Sequence, residues 1–409
     1  MLVGVVKESF PGERRVALTP QSLSLLAKLS LETLIERGAG AEAGYSDEDY
    51  TAAGAKVAAS RAEVFEKADI ICQVRTPGAN PGQGQDDLAR LKSGQVLIGH
   101  CEPLTEAEPI LKLARTGATT FALELMPRIT RAQSMDVLSS QATITGYKAV
   151  LLAADTLPKM FPMMMTAAGT IAPAKVFVVG AGVAGLQAIA SARRLGAIVT
   201  AYDIRAAVKE QVESLGGRFL DIAVEAGDAE TKGGYAKAMD EAFYRRQREA
   251  MTAAVAESDV VITTAAVPGK KAPVLVTAAM IEGMRAGSVV VDLAAERGGN
   301  CEPTRGGETI LHHGVTVMGP VNLAATVPYH ASQMYAKNMA TFLRELVKDG
   351  HVRIDASNEV IIDTLLTRDG EIVHHFAREV FGLPALEAAT NEVEAGAAGA
   401  GRAGGGSDA

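Results

Sequence analysis

At 409 residues the chain is longer than one ordinary hydrophobic core supports, so two domains are expected, and 48% apolar with 22% charged residues describes a globular rather than a disordered protein. A formal net charge of −8 lacks the basic face that nucleic acid or an anionic membrane would require of a main partner. Cys72, Cys101 and Cys301 form no Cys-x-x-Cys pair, which excludes a zinc ribbon, a thioredoxin-type motif and a disulfide framework and fits a reducing cytosol. Met1 leads directly into an alternating apolar run, 2–6, stopped by Lys7 and Glu8; this reads as a first strand and not as a signal peptide. Further strand-like runs at 32–35, 70–74, 96–100 and 119–122 alternate with helix-compatible segments at 20–29, 60–67 and 106–116, the pattern of a parallel α/β sheet.

A long helix-compatible stretch, 136–156, leads to a second unit with strand-like runs at 175–180, 198–202, 218–220, 259–263, 288–292 and 315–318. The segment 160–192 carries Lys175 as its only charge, but Pro162, Pro173 and several glycines interrupt it, so a buried strand-turn-helix is expected and not a membrane span. After Pro328, apolar or aromatic residues at 335, 339, 342, 343, 346 and 347 mark one helix face, with Gly350 as a stop. This helix is expected to return to the first unit. The fold class is therefore α/β, two doubly wound parallel-sheet domains with the second (141–327) inserted into the first (1–140 plus 328–384). Residues 385–409 form a Gly/Ala-rich tail too poor in large apolar side chains to pack, expected to be disordered.

Val176-Phe-Val-Val-Gly-Ala-Gly-Val-Ala-Gly185 places a Gly-x-Gly-x-x-Gly between a buried strand and a helical run, the Rossmann arrangement. Gly180 allows the tight turn, Gly182 lets backbone approach a pyrophosphate, and Gly185 lets helix and strand close up. The N–H groups of Val183 and Ala184 open the helix toward an anion. The next strand ends in Asp203, where a carboxylate would accept ribose hydroxyls and repel a 2′-phosphate, which points to NAD(H). Ile204 and Arg205 follow, and Arg205 leaves NADP preference open as a lesser reading. The loops 263–269, with Ala265 and Ala266, and 293–299 are small enough for close backbone approach. A charged insertion at 232–247, opened by Gly233-Gly234 and carrying Tyr235 and Gln247, reads as a lid.

Upstream of the fingerprint, 128–141 concentrates two arginines, two carboxamides, a carboxylate and four hydroxyls, with Arg128, Gln133, Asp136 and Ser139 able to meet one ligand. Hydride exchange between two nicotinamides needs orientation and no proton acceptor, and such groups suffice for it. The competing reading is that Asp136 merely caps the helix that starts there and Arg128 is a solvated charge. A dehydrogenase of alcohols or amines would instead use a base, for which His100 and Glu296 are candidates. His312–His313 and His374–His375 are adjacent pairs without metal spacing or evident acidic partners, so no metal site is expected.

Gly12-Glu-Arg-Arg-Val-Ala-Leu-Thr-Pro20, Val178-Val-Gly-Ala-Gly-Val-Ala-Gly-Leu-Gln-Ala188 and Gly196-Ala-Ile-Val-Thr-Ala-Tyr-Asp203 resemble the family that joins the NAD(H)-binding first component of proton-translocating nicotinamide nucleotide transhydrogenase to alanine dehydrogenase. Met126-Pro-Arg-Ile-Thr-Arg-Ala-Gln-Ser-Met-Asp-Val-Leu-Ser-Ser-Gln141 is similar to the transhydrogenase branch. The resemblance implies that Arg128, Ile129, Asp136 and Ser139 hold the nicotinamide and that Gln133 reaches toward a second nucleotide. It further implies that Tyr235, behind Gly234, sits on a loop closing over NAD(H), with Gln247 at its far end. The implied reaction is Re/Si-specific, proton-translocating transhydrogenation: hydride passes between NAD(H) here and NADP(H) on a partner subunit, coupled to proton movement in a membrane-spanning subunit. A homodimer is implied, cytoplasmic and peripheral to the inner face of the cell membrane through its partners, with no membrane insertion of its own. Two departures from alanine dehydrogenases are Val74-Arg-Thr-Pro77, where those enzymes carry a substrate lysine, and Glu296 in place of their catalytic aspartate. His100 lies near their catalytic histidine and keeps an amino-acid oxidoreductase as the alternative; a non-catalytic NAD-binding regulatory module is the other.

Overall fold

The computed structural model describes residues 1–222, 241–266 and 269–386, with backbone alone at 241–244. Gly234, Tyr235 and the 387–409 tail lie outside the described residues.

Two sheets organise the chain. The first has eight strands, in the order Glu371–Ile372, Leu365–Arg368, Thr119–Ala122, Val96–His100, Ile70–Arg75, Leu2–Val5, Glu32–Glu36, Lys56–Ala58. The six drawn from the N-terminal part are parallel, and the two from the C-terminal part add antiparallel at the edge. The second sheet has seven, in the order Arg218–Phe219, Ile198–Tyr202, Lys175–Val179, Val260–Thr263, Val289–Asp292, Val315–Met318, Thr309–His312, all parallel except the last. Numbered along the chain, the parallel strands of each sheet run 3-2-1-4-5-6, the doubly wound Rossmann order.

The apolar runs are continuous because both faces of each sheet are covered. In the first sheet Ile70, Cys72 and Val74 enter one core cluster while Ile71 enters the opposite one, and Val96 and Ile98 alternate with Leu97 in the same way. In the second, Val176 and Val178 face one layer, Phe177 and Val179 the other. Each such fully buried aliphatic side chain contributes roughly 1.5–3 kcal/mol of transfer free energy.

Two long helices connect the units. Val137–Thr156 starts where the Asp136 carboxylate accepts a hydrogen bond from the Ser139 N–H at 2.9 Å. It packs between the helices Val183–Arg194 and Pro328–Leu346. The second connector ends at Leu346, earlier than the expected stop at Gly350. Asp349 (φ 51°) and Gly350 (φ 73°) instead form the turn of a small hairpin, Val347–Lys348 with His351–Val352. Among the described residues no helix is long and apolar enough to cross a membrane; 160–192 resolves into Met164–Thr166 and Gly169–Ile171, a hairpin, then the strand Lys175–Val179 and the fingerprint helix.

Candidate functional site

In doubly wound sheets a ligand crevice forms where strand order reverses, beyond the C-terminal ends of the first and fourth strands. In the second sheet those ends are Val179 and Thr263, and Gly180 and Thr264 follow them. Gly180 has φ 96°, a conformation costly for any residue with a Cβ. The Thr264 hydroxyl donates to the Gly180 carbonyl at 3.0 Å and closes the reversal point. Gly182 precedes the helix Val183–Arg194, and a Cβ there would meet nothing within 4 Å, which leaves backbone open to a ligand. A Cβ on Gly185 would stand 1.9 Å from the Gly180 carbonyl oxygen, so strand and helix meet here in direct backbone contact.

Asp203 is buried at the end of its strand. Its carboxylate accepts from the Ala181 N–H at 2.7 Å, which ties the glycine turn to the neighbouring strand, and from Arg205, whose backbone N–H, Nε and Nη2 all donate at 2.9 Å. Arg205 thus neutralises the acid. Gln247 Nε2 donates to the Tyr202 hydroxyl at 2.8 Å, so the far end of the charged insertion is anchored beside Asp203. The loop with Ala265 and Ala266 is held by Asn300, which accepts from the Ala265 N–H at 2.9 Å and donates to the Ala265 and Pro273 carbonyls at 2.8 Å. Thr264 and Asn300 escape sequence reading because a lone polar residue in a small-residue loop carries no pattern.

The segment upstream folds into a short 3-10 helix, Thr130–Met135, pinned to the first core by buried Ala132 and Met135. Arg128 and Gln133 are exposed and Ile129 is half-buried. Asp136 does cap the following helix, and its second oxygen accepts from the Ser139 hydroxyl at 2.6 Å, so the two side chains act as one unit. Farther along the same helix Gly146 passes so close to the fingerprint helix that a Cβ would lie 2.1 Å from the Ala184 carbonyl oxygen. At 1.5 Å rise per residue, Ser139 and Gly146 are about 10 Å apart along the axis. One rigid helix therefore carries the polar segment and touches the phosphate-type turn.

The first sheet has its own reversal point, and buried ionic groups fill it. Glu13 and Arg15 form a two-point pair at 2.7 and 2.6 Å; Arg15 also donates to Gln141 at 2.9 Å and to Asn322 at 3.1 Å, which joins the two units. Arg75 lies 4.2 Å over the Phe10 ring, with Glu296 at 4.0 Å. His100 stacks on Tyr335 and stands 3.8 Å from Glu124. Arg297 bridges to Glu102 at 2.5 Å and to Thr105 at 3.1 Å. Contrary to the expectation from sequence, the His312–His313 pair has an acidic partner, Glu282, 3.4 Å from both imidazoles, brought there by a fold contact some thirty residues away in sequence.

Residues 4–145 match the alanine dehydrogenase/PNT N-terminal domain and residues 149–375 the alanine dehydrogenase/PNT C-terminal domain. The chain belongs to the alanine dehydrogenase/PNT family. It is 47% identical over 377 residues to an NAD(P) transhydrogenase alpha-subunit chain of Rhodospirillum rubrum, covering 91% of this chain and 98% of that one. A crystal structure of transhydrogenase from Sinorhizobium meliloti superposes with a TM-score of 0.79 at 44% identity, over 92% of this chain and all of the other. Similarity to the alanine dehydrogenase of Halomonas elongata is lower, 31% over 398 residues, covering 95% of this chain and 99% of that one.

Within the alanine dehydrogenase/PNT family the ionic cluster bears on which chemistry is open to this chain. Burial, with the charges of Arg15 and Arg75, pushes His100 down to about 3, so the imidazole is neutral and a weak proton acceptor at physiological pH. Arg75 is fixed by Phe10 and its acidic neighbours and, as a guanidinium, cannot serve as a base. Glu296 is committed to the Asn322 backbone N–H.

Proposed function

We propose that this chain is the NAD(H)-binding alpha subunit of a proton-translocating NAD(P) transhydrogenase, exchanging a hydride between NAD(H) bound here and NADP(H) on a partner subunit. The observation that carries the reading is the Arg128–Ser139 segment, with Arg128 and Gln133 exposed and its one carboxylate, Asp136, engaged by Ser139, mounted on the helix whose Gly146 abuts the fingerprint helix. In this reading Gly180, Gly182, Val183, Ala184 and Gly185 receive the pyrophosphate, and Asp203, Ile204 and Arg205 the adenosine ribose. Ala265 and Ala266 line the crevice toward the nicotinamide and Gln247 stands beside the ribose site, while Gly234 and Tyr235, which the resemblance assigns to the cofactor, lie outside the described residues. NAD(H) supplies the hydride chemistry when bound. Arg128 and Ile129 hold the carboxamide face, the Asp136–Ser139 unit fixes its plane, and Gln133 reaches toward the second nucleotide. With donor and acceptor both nicotinamides, no side chain has to take a proton, and positioning is the chain's whole contribution.

The proton path belongs to membrane-spanning partner subunits, and the chain sits on the cytoplasmic side of the membrane through them; the word subunit in the relatives' names supports partners of some kind. Division into 1–140 plus 328–384 and 141–327 is part of the same reading, supported by a first sheet that takes strands from both ends of the chain. A homodimer is supported by the hairpin around Met164–Thr166, where Met163 is 59% and Met165 77% exposed, apolar surface of the kind that a partner covers. Light scattering should find a dimer that a Met165→Lys substitution weakens; a dimer of unchanged affinity would exclude the hairpin as its interface.

Hydride transfer decides the reading. The purified chain, mixed with an NADP(H)-binding partner subunit, should pass hydride from NADH to an NADP⁺ analogue and should not aminate pyruvate with ammonium. Activity with pyruvate alone would overturn it. A Gln133→Asn substitution, which withdraws the carboxamide by one methylene, should slow the transfer step on the order of 10- to 100-fold while NADH affinity is unchanged. Loss of NADH binding would contradict the role given to Gln133.

A further inference from the structure

The edge hairpin of the second sheet holds a cluster that the nucleotide chemistry does not use. Thr309–His312 and Val315–Met318 pair antiparallel through a two-residue turn, His313 (φ 48°) and Gly314 (φ 80°), the left-handed pair of a tight hairpin. The turn is pinned from below, because the Gly287 N–H donates to the Gly314 carbonyl at 2.8 Å. Glu282 closes the helix Ala278–Glu282 beside it, with one carboxylate oxygen 3.4 Å from His312 Nε2 and 3.4 Å from His313 Nε2. All three potential ligand atoms lie within 4.8 Å of one another. His312 Nε2 is buried and makes no hydrogen bond.

We propose that Glu282, His312 and His313 form a binding site for one divalent transition-metal ion of the zinc class. Bonds of about 2.0–2.1 Å at tetrahedral angles hold ligand atoms about 3.3 Å apart, close to the two nitrogen–oxygen separations seen. Two imidazoles with one carboxylate suit zinc, cobalt, nickel or copper and not magnesium or calcium, which prefer all-oxygen shells. The ion also gives the buried His312 Nε2, which makes no hydrogen bond, an electron-pair acceptor. His313 is 62% exposed on its side chain and Glu282 42%, so an ion can enter from solvent, and the three ligands leave a coordination position for water or a group from another molecule.

The site sits at the N-terminal edge of the parallel strands, one strand length, about 13 Å, from the edge where Gly180 and Thr264 lie. It is therefore separate from the nucleotide crevice. The ion fastens the edge hairpin to the helix before the Val289–Asp292 strand, a stabilising staple and not a catalytic centre.

Calorimetric titration of the full chain with Zn²⁺, and separately Ni²⁺, should show one strong equivalent. Glu282→Gln and His313→Asn should each weaken it at least tenfold; asparagine tolerates the left-handed turn, and NADH binding by both variants reports intact folding. Copper-loaded protein should give an electron paramagnetic resonance spectrum with nitrogen couplings that simplify in His313→Asn. Absence of a stoichiometric equivalent, or an equivalent unchanged in both variants, overturns the proposal.

Discussion

Replacing Gly185 with alanine is expected to weaken NADH binding more than 100-fold and to destabilise the fold, whereas Gly182→Ala should weaken binding and leave stability unchanged. The contrast follows from what each new methyl group meets. At 185 it would stand 1.9 Å from the Gly180 carbonyl oxygen, which is backbone and cannot rotate away. Helix and strand must separate by more than an ångström, an overpacking cost of about 1–3 kcal/mol or more. That movement also shifts Val183 and Ala184, the first residues of the helix, from the position in which the proposed site has their N–H groups face the pyrophosphate. At 182 the methyl meets no protein atom within 4 Å and the backbone is already extended, so the fold accepts it. What the methyl would occupy is the space assigned to the pyrophosphate. Fluorescence titration with NADH and denaturant unfolding of both variants check this pair of outcomes. If Gly182→Ala bound NADH as well as the parent chain, the pyrophosphate would have to lie elsewhere.

These two glycines also mark what sequence can convey. Gly180, Gly182 and Gly185 were legible because the chemistry repeats a spacing, and the strands behind them because parallel strands buried on both faces read as uninterrupted apolar runs. Gly146 was not legible: a glycine within a long helical pattern gives no sign that a second backbone passes at its surface. Lys56–Ala58 and Thr309–His312 were missed as short, half-exposed edge strands with little apolar alternation. The hairpin Leu365–Arg368 with Glu371–Ile372 turns at Asp369-Gly370, a pair that favours a tight turn, but flanks this short carry no alternation from which strands could be read. The strand-end position of Asp203 beside the glycine turn is readable from spacing, whereas Glu282 beside His312 and His313, and Asn322 beside Arg15, depend on contacts between distant segments that no local pattern encodes.

The Glu13–Arg15 pair should carry the largest single contribution to stability at the junction of the two units. Burial works to raise the Glu13 carboxyl, but the Arg15 guanidinium, through its charge and hydrogen bonds, outweighs burial and holds the acid down at about 2. Both side chains are almost wholly inaccessible, and Arg15 spends its remaining donors on Gln141 and Asn322. Arg15→Met leaves a buried carboxylate whose former partner is an apolar chain, a loss of about 3–5 kcal/mol in denaturant unfolding near neutral pH. The pH dependence should weaken. In the parent chain this depressed acid contributes stability that is present above its ordinary value of 4.5 and is lost as pH falls toward 2. In Arg15→Met the strongest opposing influence is gone, and burial is countered only by Asn322 Nδ2 at 3.1 Å, Arg75 Nε at 3.7 Å and the backbone N–H groups of residues 14 and 15, so the acid rises from its depressed value and the stability that it contributes above that value shrinks. The double variant Glu13→Gln/Arg15→Met, which removes both charges, should recover part of the loss, because an unpaired buried charge costs more than an absent pair. A single variant losing less than about 1 kcal/mol would show that water reaches Glu13 and that the pair is not the clamp between the units.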